Sequence, residues 1–317
     1  MRLGSTATKR ILKRNISIFN LLVIITGIIS FLTPSSGSLS ISRVLAGAGP
    51  TRIELDFDRL PQGQVGIVRV TGSNIAAVRA VFQERVFLFY AENSEWNGLI
   101  AADMALDAGI YPLQVWVEYS DDEPEIFDQT VEVENGAFGR SDVTVSASLV
   151  PLLDPDIEQS EMDKLANIVE RTTPERYWTD SGFALPVDQE LSGWFGTWRL
   201  YNGTYWGRHT GVDTRVGVGT PLAAIANGRV VLAGSMTIRG NYVLIDHGWG
   251  VFSGYAHLDQ MLVIPGQWVR KGEIIGMSSG LNGRSNGAHL HWEMSVNGVW
   301  IDPESFLALD LGQPVDD

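Results

Sequence analysis

Cysteine is absent from the 317 residues, so neither a disulfide framework nor a thiolate metal site can form, and any metal must be held by His, Asp or Glu. Positive charge is scarce. The 23 Lys and Arg stand against 37 Asp and Glu, and no basic patch offsets the net charge of −14. Nucleic acid is thereby excluded as a partner, because phosphate binding needs clustered cations. The His-Glu-x-x-His signature of helix-borne zinc sites is missing, and so is any repeat of solenoid period. Histidine is also rare, but all five copies fall between residues 209 and 291. An apolar fraction of 44% is ample for real cores, which rules out a disordered chain.

Residues 1–50 begin with a basic block, Arg2, Lys9, Arg10, Lys13 and Arg14, followed by an apolar run from Ile16 to Leu32. That pairing marks an export signal with its positive side kept in the cytoplasm. The run is long for a signal-peptide core and short for a membrane span, so a cleaved signal and a retained membrane anchor both fit. Ala46-Gly47-Ala48 resembles a cleavage site but lies well downstream of the run, which favours the anchor. The Ser- and Gly-rich stretch from Pro34 to Pro50 reads as a tether.

The remainder predicts a mainly β protein in three parts. Over 51–150, β-branched and aromatic runs recur at Val65 to Val70, Val86 to Tyr90, Tyr111 to Tyr119 and Phe127 to Val133. With Asp107-Ala108-Gly109-Ile110-Tyr111 read as a tyrosine corner, this predicts an immunoglobulin-like β-sandwich. Over 151–180 the spacing of Met162, Leu165 and Val169 predicts a helical brace, capped at Ser160-x-x-Asp163 and stopped at Thr173-Pro174. Over 181–317 short apolar strands alternate with glycine turns, as in Gly228 to Leu232, Asn241 to Ile245 and Val269 to Gly276, which predicts a compact antiparallel β domain.

Four of the five histidines sit in chemically suggestive settings, and a carboxylate accompanies them. Residues two apart on a strand share a face, so His289 and His291 project into one space. His209 and Asp213, separated by a turn through Gly211, can converge on that space from a second segment. Three protein ligands and an open position define a catalytic zinc site, and amide hydrolysis there needs proton-transfer groups beside the metal. His257 and His289 are left for that duty, each with an ordinary pKa near ~6.5. His247, in Asp246-His247-Gly248, reads instead as a turn or packing residue.

The stretch from Phe183 to Pro303, roughly two fifths of the chain, resembles the lysostaphin/LytM-type zinc endopeptidases of bacterial cell walls. The resemblance rests on Trp194-Phe195-Gly196, His209-x-Gly211-Val212-Asp213, Gly219-Thr220-Pro221-Leu222, Asn241-Tyr242-Val243, Asp246-His247-Gly248, Tyr255-Ala256-His257-Leu258, Gly266-Gln267 through Glu273, and Gly287-Ala288-His289-Leu290-His291-Trp292-Glu293. It implies Zn2+ held by His209, Asp213 and His291, with His257 and His289 as the catalytic pair around a bound water that attacks the scissile carbonyl. The implied substrate is peptidoglycan peptide and the implied place the extracytoplasmic envelope of a bacterium, with membrane contact through the N-terminal segment if that is retained. Thr214-Arg215-Val216 departs from the usual small or apolar continuation after the aspartate. Tyr201 and Tyr205 are equal contenders for an oxyanion donor. A contrasting reading is a latent or non-enzymatic regulator of other wall hydrolases, since relatives lacking the ligands act in that way; here all the ligand residues are present.

Overall fold

A computed structural model describes residues 50–179 and 181–311. The basic block, the apolar run and Ala46-Gly47-Ala48 lie outside the described residues. Among those described, no helix is long and apolar enough to cross a membrane.

The first half is all strand: β1 (Arg52–Leu55), β2 (Arg59–Pro61), β3 (Val65–Thr71), β4 (Ile75–Phe82), β5 (Arg85–Glu92), β6 (Glu95–Ala101), β7 (Gly109–Tyr119) and β8 (Glu125–Glu134). Their hydrogen-bonded order is β1-β3-β6-β5-β4-β7-β8-β2. Strand β5 pairs through Arg85 to Leu88 with β4 and through Phe89 to Glu92 with β6, so it passes from one group of strands to the other. Alternation sets the core, since Leu113, Val115 and Val117 on β7 are fully buried while their neighbours are not. The Tyr111 hydroxyl donates to the Asp107 carbonyl at 2.6 Å, tying the start of β7 back to the loop before it.

Beyond the short β9 (Arg140–Val143) and a 3-10 turn at Ala147–Leu153 comes helix α1, Pro155–Val169. Its start corrects the sequence reading. Asp154 is the cap, accepting from the Asp156 N–H at 2.9 Å, and Pro155 occupies the first helical position, where its missing N–H and fixed φ suit the helix. Ser160 is therefore interior, and the helix ends at Val169, ahead of Thr173-Pro174. The buried side of α1 carries Glu161, Leu165 and Val169. The two aliphatic residues join Tyr242, Leu244, Phe252 and Ala256 in one apolar cluster.

The second half consists of β10 (Leu191–Gly193), β11 (Trp198–Tyr201), β12 (Tyr205–Arg208), β13 (Val212–Thr214), β14 (Pro221–Ala223), β15 (Gly228–Met236), β16 (Gly240–Asp246), β17 (Val251–Met261), β18 (Trp268–Val269), β19 (Ile274–Ser278), β20 (Leu290–Val296), β21 (Val299–Ile301) and the short α2 (Pro303–Leu307). The main sheet runs β10-β13-β20-β17-β16-β15-β18. Within Val269 to Gly276 the strands β18 and β19 are separated by a glycine turn at Lys271 and Gly272. Strands β12-β11-β9 form a small sheet of their own, with β9 running parallel to β11. The two halves share a compact unit. Tyr90 stacks on Trp249 with ring centres 5.2 Å apart, and Asn297 Nδ2 donates to the Leu99 carbonyl at 3.1 Å.

Candidate metal centre

Strand pairing brings the key residues together. Asp213 on β13 lies directly opposite His291 on β20, and His291 lies opposite Ala256 on β17, so Asp213, His291 and the end of β17 form a row across the sheet. His209 precedes β13 by a turn. Gly211 is required in that turn, because a Cβ there would collide with the Trp292 carbonyl and the Glu293 backbone. His257 follows Ala256 in a left-handed conformation, φ +59°, which takes it out of the strand's alternation.

Three ligand-type atoms converge. His209 Nε2 is 3.0 Å from Asp213 Oδ1 and 2.9 Å from His291 Nδ1, and His291 Nδ1 is 3.0 Å from the same Oδ1. All three residues are buried, at 4%, 8% and 8% exposure, so water cannot neutralise this concentration of acceptors. His257 and His289 sit alongside. Their rings are 4.8 Å apart, and His289 Nε2 is 3.8 Å from Asp213 Oδ1.

The outer nitrogens fix the tautomers. A carbonyl can only accept, so His209 Nδ1–H donates to Trp194 O at 2.9 Å, His257 Nδ1–H to Asn282 O at 2.7 Å and His289 Nδ1–H to Gly287 O at 2.9 Å. His291 Nε2–H donates to the Glu293 carboxylate at 3.1 Å. On each of these four rings one nitrogen is thus tied down and the other is free to act as a lone-pair donor. Such outer partners orient metal-binding imidazoles and raise their basicity.

Electrostatics point the same way. Burial lowers His209 to about 4 and, with His289 and His291 nearby, lowers His257 to about 3, so both rings are neutral at pH 7. Burial works against a charge on His291 as well, but hydrogen bonds to Asp213 and Glu293 raise it above its ordinary value. A positive charge is favoured at that point, whether it is a proton or a metal ion. Burial also opposes the charge on Asp213, but His209, His291 and Arg199 hold its carboxyl well below the usual range. Two imidazole nitrogens and a carboxylate oxygen suit zinc's preference for N and O ligands, and these are the donors a chain without cysteine can offer.

The sequence reading missed several supports. Arg199 on β11 pairs with the second oxygen of Asp213, and Gly193 leaves room for that pair. Glu293 accepts from His291, Thr210 Oγ1 at 2.9 Å, Tyr242 Oη at 2.7 Å and the Arg239 guanidinium at 2.7 and 3.1 Å. Only Glu293 had a local signal, lying two residues past His291 on the same strand face. Of the two tyrosines, Tyr201 lines the cleft, whereas the Tyr205 hydroxyl donates to Glu158 at 3.2 Å. His247 is fully buried between the Asn227 carbonyl and Ser253 Oγ, a satisfied packing residue.

The histidines and Asp213 open onto a cleft of about 650 Å3, also lined by Trp194, Arg199, Tyr201 and, from β9 and just before it, Gly139 to Ser141 and Val143. Asn286 Nδ2 donates to the Thr144 carbonyl at 2.7 Å, and the Val145 N–H donates to Asn202 Oδ1 at 2.9 Å. The segment after β9 is therefore tied both to the loop before His289 and to the β11–β12 turn.

Comparison with known proteins supports a family assignment. Residues 207–303 match the model of peptidase family M23. Over 109 residues the chain is 43% identical to the DD-carboxypeptidase/endopeptidase Mpg of Neisseria meningitidis serogroup B, which is 34% of this chain and 23% of that protein. Over 90 residues it is 42% identical to the peptidoglycan DD-endopeptidase ShyA of Vibrio cholerae, 28% of this chain and 21% of that one. The chain thus spans about a quarter of the length of these curated relatives. A Pseudomonas aeruginosa structure solved as a candidate peptidase M23 superposes with a TM-score of 0.60 at 26% identity, covering 79% of this chain and 96% of that one. Residues 207–303, which hold His209, Asp213, His257, His289 and His291, therefore form a peptidase family M23 domain.

Proposed function

We propose that this protein is an exported zinc metalloendopeptidase that hydrolyses peptide bonds in the cross-links or stems of peptidoglycan. The observation that carries the reading is the buried convergence of His209 Nε2, Asp213 Oδ1 and His291 Nδ1, the arrangement expected of a metal's ligands. The name of the Vibrio relative, a peptidoglycan DD-endopeptidase, supports peptidoglycan as the substrate, and a peptidoglycan substrate in turn supports the bacterial envelope as the location. Held by those three residues, zinc would supply Lewis-acid polarisation of a carbonyl and a more acidic water. His257 and His289 hold and move the protons. Each has its Nδ1–H committed to a carbonyl, which leaves Nε2 to take a proton and return it to the leaving amine. Arg199 and Trp194 O keep Asp213 and His209 in position.

The strand order of the first half supports an immunoglobulin-like sandwich. It follows the A-B-E-D and C-F-G succession, with β2 added in parallel beside β8, and includes the Tyr111 corner bond. The second reading, a latent enzyme, is favoured by the segment from Gly139 to Val145 that bounds the cleft and is tied down on both sides.

The test is mass spectrometry of purified, cross-linked peptidoglycan after incubation with the protein and zinc, beside a chelated control. New peptide termini that disappear on chelation and return with added zinc are expected, and they identify the bond. Termini that persist in chelator would refute a metal-dependent hydrolysis.

A further inference from the structure

Helix α1 lies outside the segment matched to the family and would serve for packing alone if its buried side were apolar. Leu165 and Val169 fit that role. Glu161 does not, because a buried carboxylate is unfavourable unless it is paired. At 2% exposure Glu161 reaches the β15–β16 turn, where Oε1 accepts from the Ile238 N–H at 2.6 Å and Oε2 lies 3.4 Å from both the Arg239 N–H and Arg239 Nη1.

Two lines run from that turn to the histidines. The Arg239 side chain, 5% exposed, holds the fully buried Glu293, which holds His291 Nε2. The Arg239 carbonyl accepts the N–H of His257 at 2.8 Å, and His257 is the residue held in the left-handed conformation. One turn earlier on α1, Glu158 accepts from Arg284 Nη1 at 3.0 Å and from Tyr205 Oη at 3.2 Å, so a second carboxylate on the same helix face holds Arg284, which lines the cleft, and the β12 strand. Formal charge is consistent with this. The carboxylates Asp213, Glu293 and Glu161 pair with two guanidinium groups, Arg199 and Arg239, a formal excess of one negative charge that favours a cation among the histidines.

We infer that Glu161 is a positioning residue of the metal centre, acting on His291 through Arg239 and Glu293 and on His257 through the main chain of Arg239, so that α1 belongs to the functional unit. This rests on the zinc reading above. Glu161→Gln keeps the shape and removes the charge, Glu161→Ala removes the acceptor, and Lys164→Ala on the exposed face of α1 is the control. Zinc affinity is measured by competition with a chromophoric chelator, kcat and KM on a cross-linked muropeptide, and amide hydrogen exchange at Ile238 and His257 in the metal-free protein. The expected result for both Glu161 variants is a 10- to 100-fold loss of zinc affinity and a fall in kcat with KM little changed. Exchange should be faster at both amides in Glu161→Ala, while Lys164→Ala matches wild type. Wild-type zinc affinity and kcat in Glu161→Gln would overturn the inference, even if Glu161→Ala fails to fold. If the wild-type protein itself neither binds zinc nor cleaves, the functional reading fails, and unchanged exchange at His257 in Glu161→Ala separately defeats the positioning line.

Discussion

His291 donates its Nε2–H to the Glu293 carboxylate at 3.1 Å, from two residues away on the same face of β20. This bond selects the tautomer that presents Nδ1 to Asp213 and His209. Burial opposes the charge on Glu293, but Arg239 and His291 hold its carboxyl well below the usual range, so it remains an acceptor throughout the working pH range. Glu293→Ala frees the ring and leaves Arg239 facing only Glu161. Stability is expected to fall by about 3–5 kcal/mol, the usual effect of breaking a buried pair. Zinc affinity should fall with it, and denaturant titration with and without zinc separates the two effects.

His289 and His291 differ by two positions but are proposed to differ in role. His289→Ala should retain bound zinc and lose about 10²–10⁴-fold in turnover, whereas His291→Ala should lose both. Metal content by atomic emission, measured beside the kinetics, decides it. Equal zinc loss in the two variants would overturn the assignment.

Gly211 allows β13 to approach β20 closely enough for Asp213 to face His291. Gly211→Ala forces the strands apart, at about 1–3 kcal/mol of stability. The zinc-induced rise in melting temperature should shrink in this variant. A full-sized zinc shift would mean that the ligands tolerate the displacement.

His247 controls a different property. Burial lowers it from 6.5 to about 4, so the folded protein keeps it neutral while the unfolded chain protonates it at the ordinary value. Its contribution to stability is complete above about pH 6.5 and is lost as pH falls through about 4, on the order of 3 kcal/mol across that window. His247→Gln should flatten that part of the acid-stability curve, read as denaturation midpoint against pH, while lowering stability at neutral pH.

Asn286 bears on the latent reading. Asn286→Ala removes the bond to the Thr144 carbonyl and frees one side of the segment that bounds the cleft. If that segment restrains access, turnover of polymeric peptidoglycan rises several-fold relative to a short muropeptide. Equal turnover on both substrates, before and after the change, would dismiss the restraint.

The sequence by itself determined what local pattern can encode. Alternation of β-branched and aromatic residues announced strands such as Tyr111 to Tyr119, the Asp107 to Tyr111 pattern announced a corner bond, and the clustering of histidine beside Asp213 announced the donors that converge. These are legible because side-chain direction follows from a period of two and because imidazoles are rare. The start of α1 was misread although Asp154-Pro155 carried the signal, since Ser160-x-x-Asp163 imitates the same motif inside the helix. Tertiary structure alone decided the supports. Glu161 meets Arg239 across 78 positions, Arg199 on the small sheet meets Asp213 on the main sheet, and the carbonyls of Trp194, Asn282 and Gly287 fix three tautomers. A glutamate, an arginine or a main-chain oxygen bears no mark of such duty in the sequence. Each acquires it only when folding removes water and makes an unpaired polar group costly enough that a partner must be found.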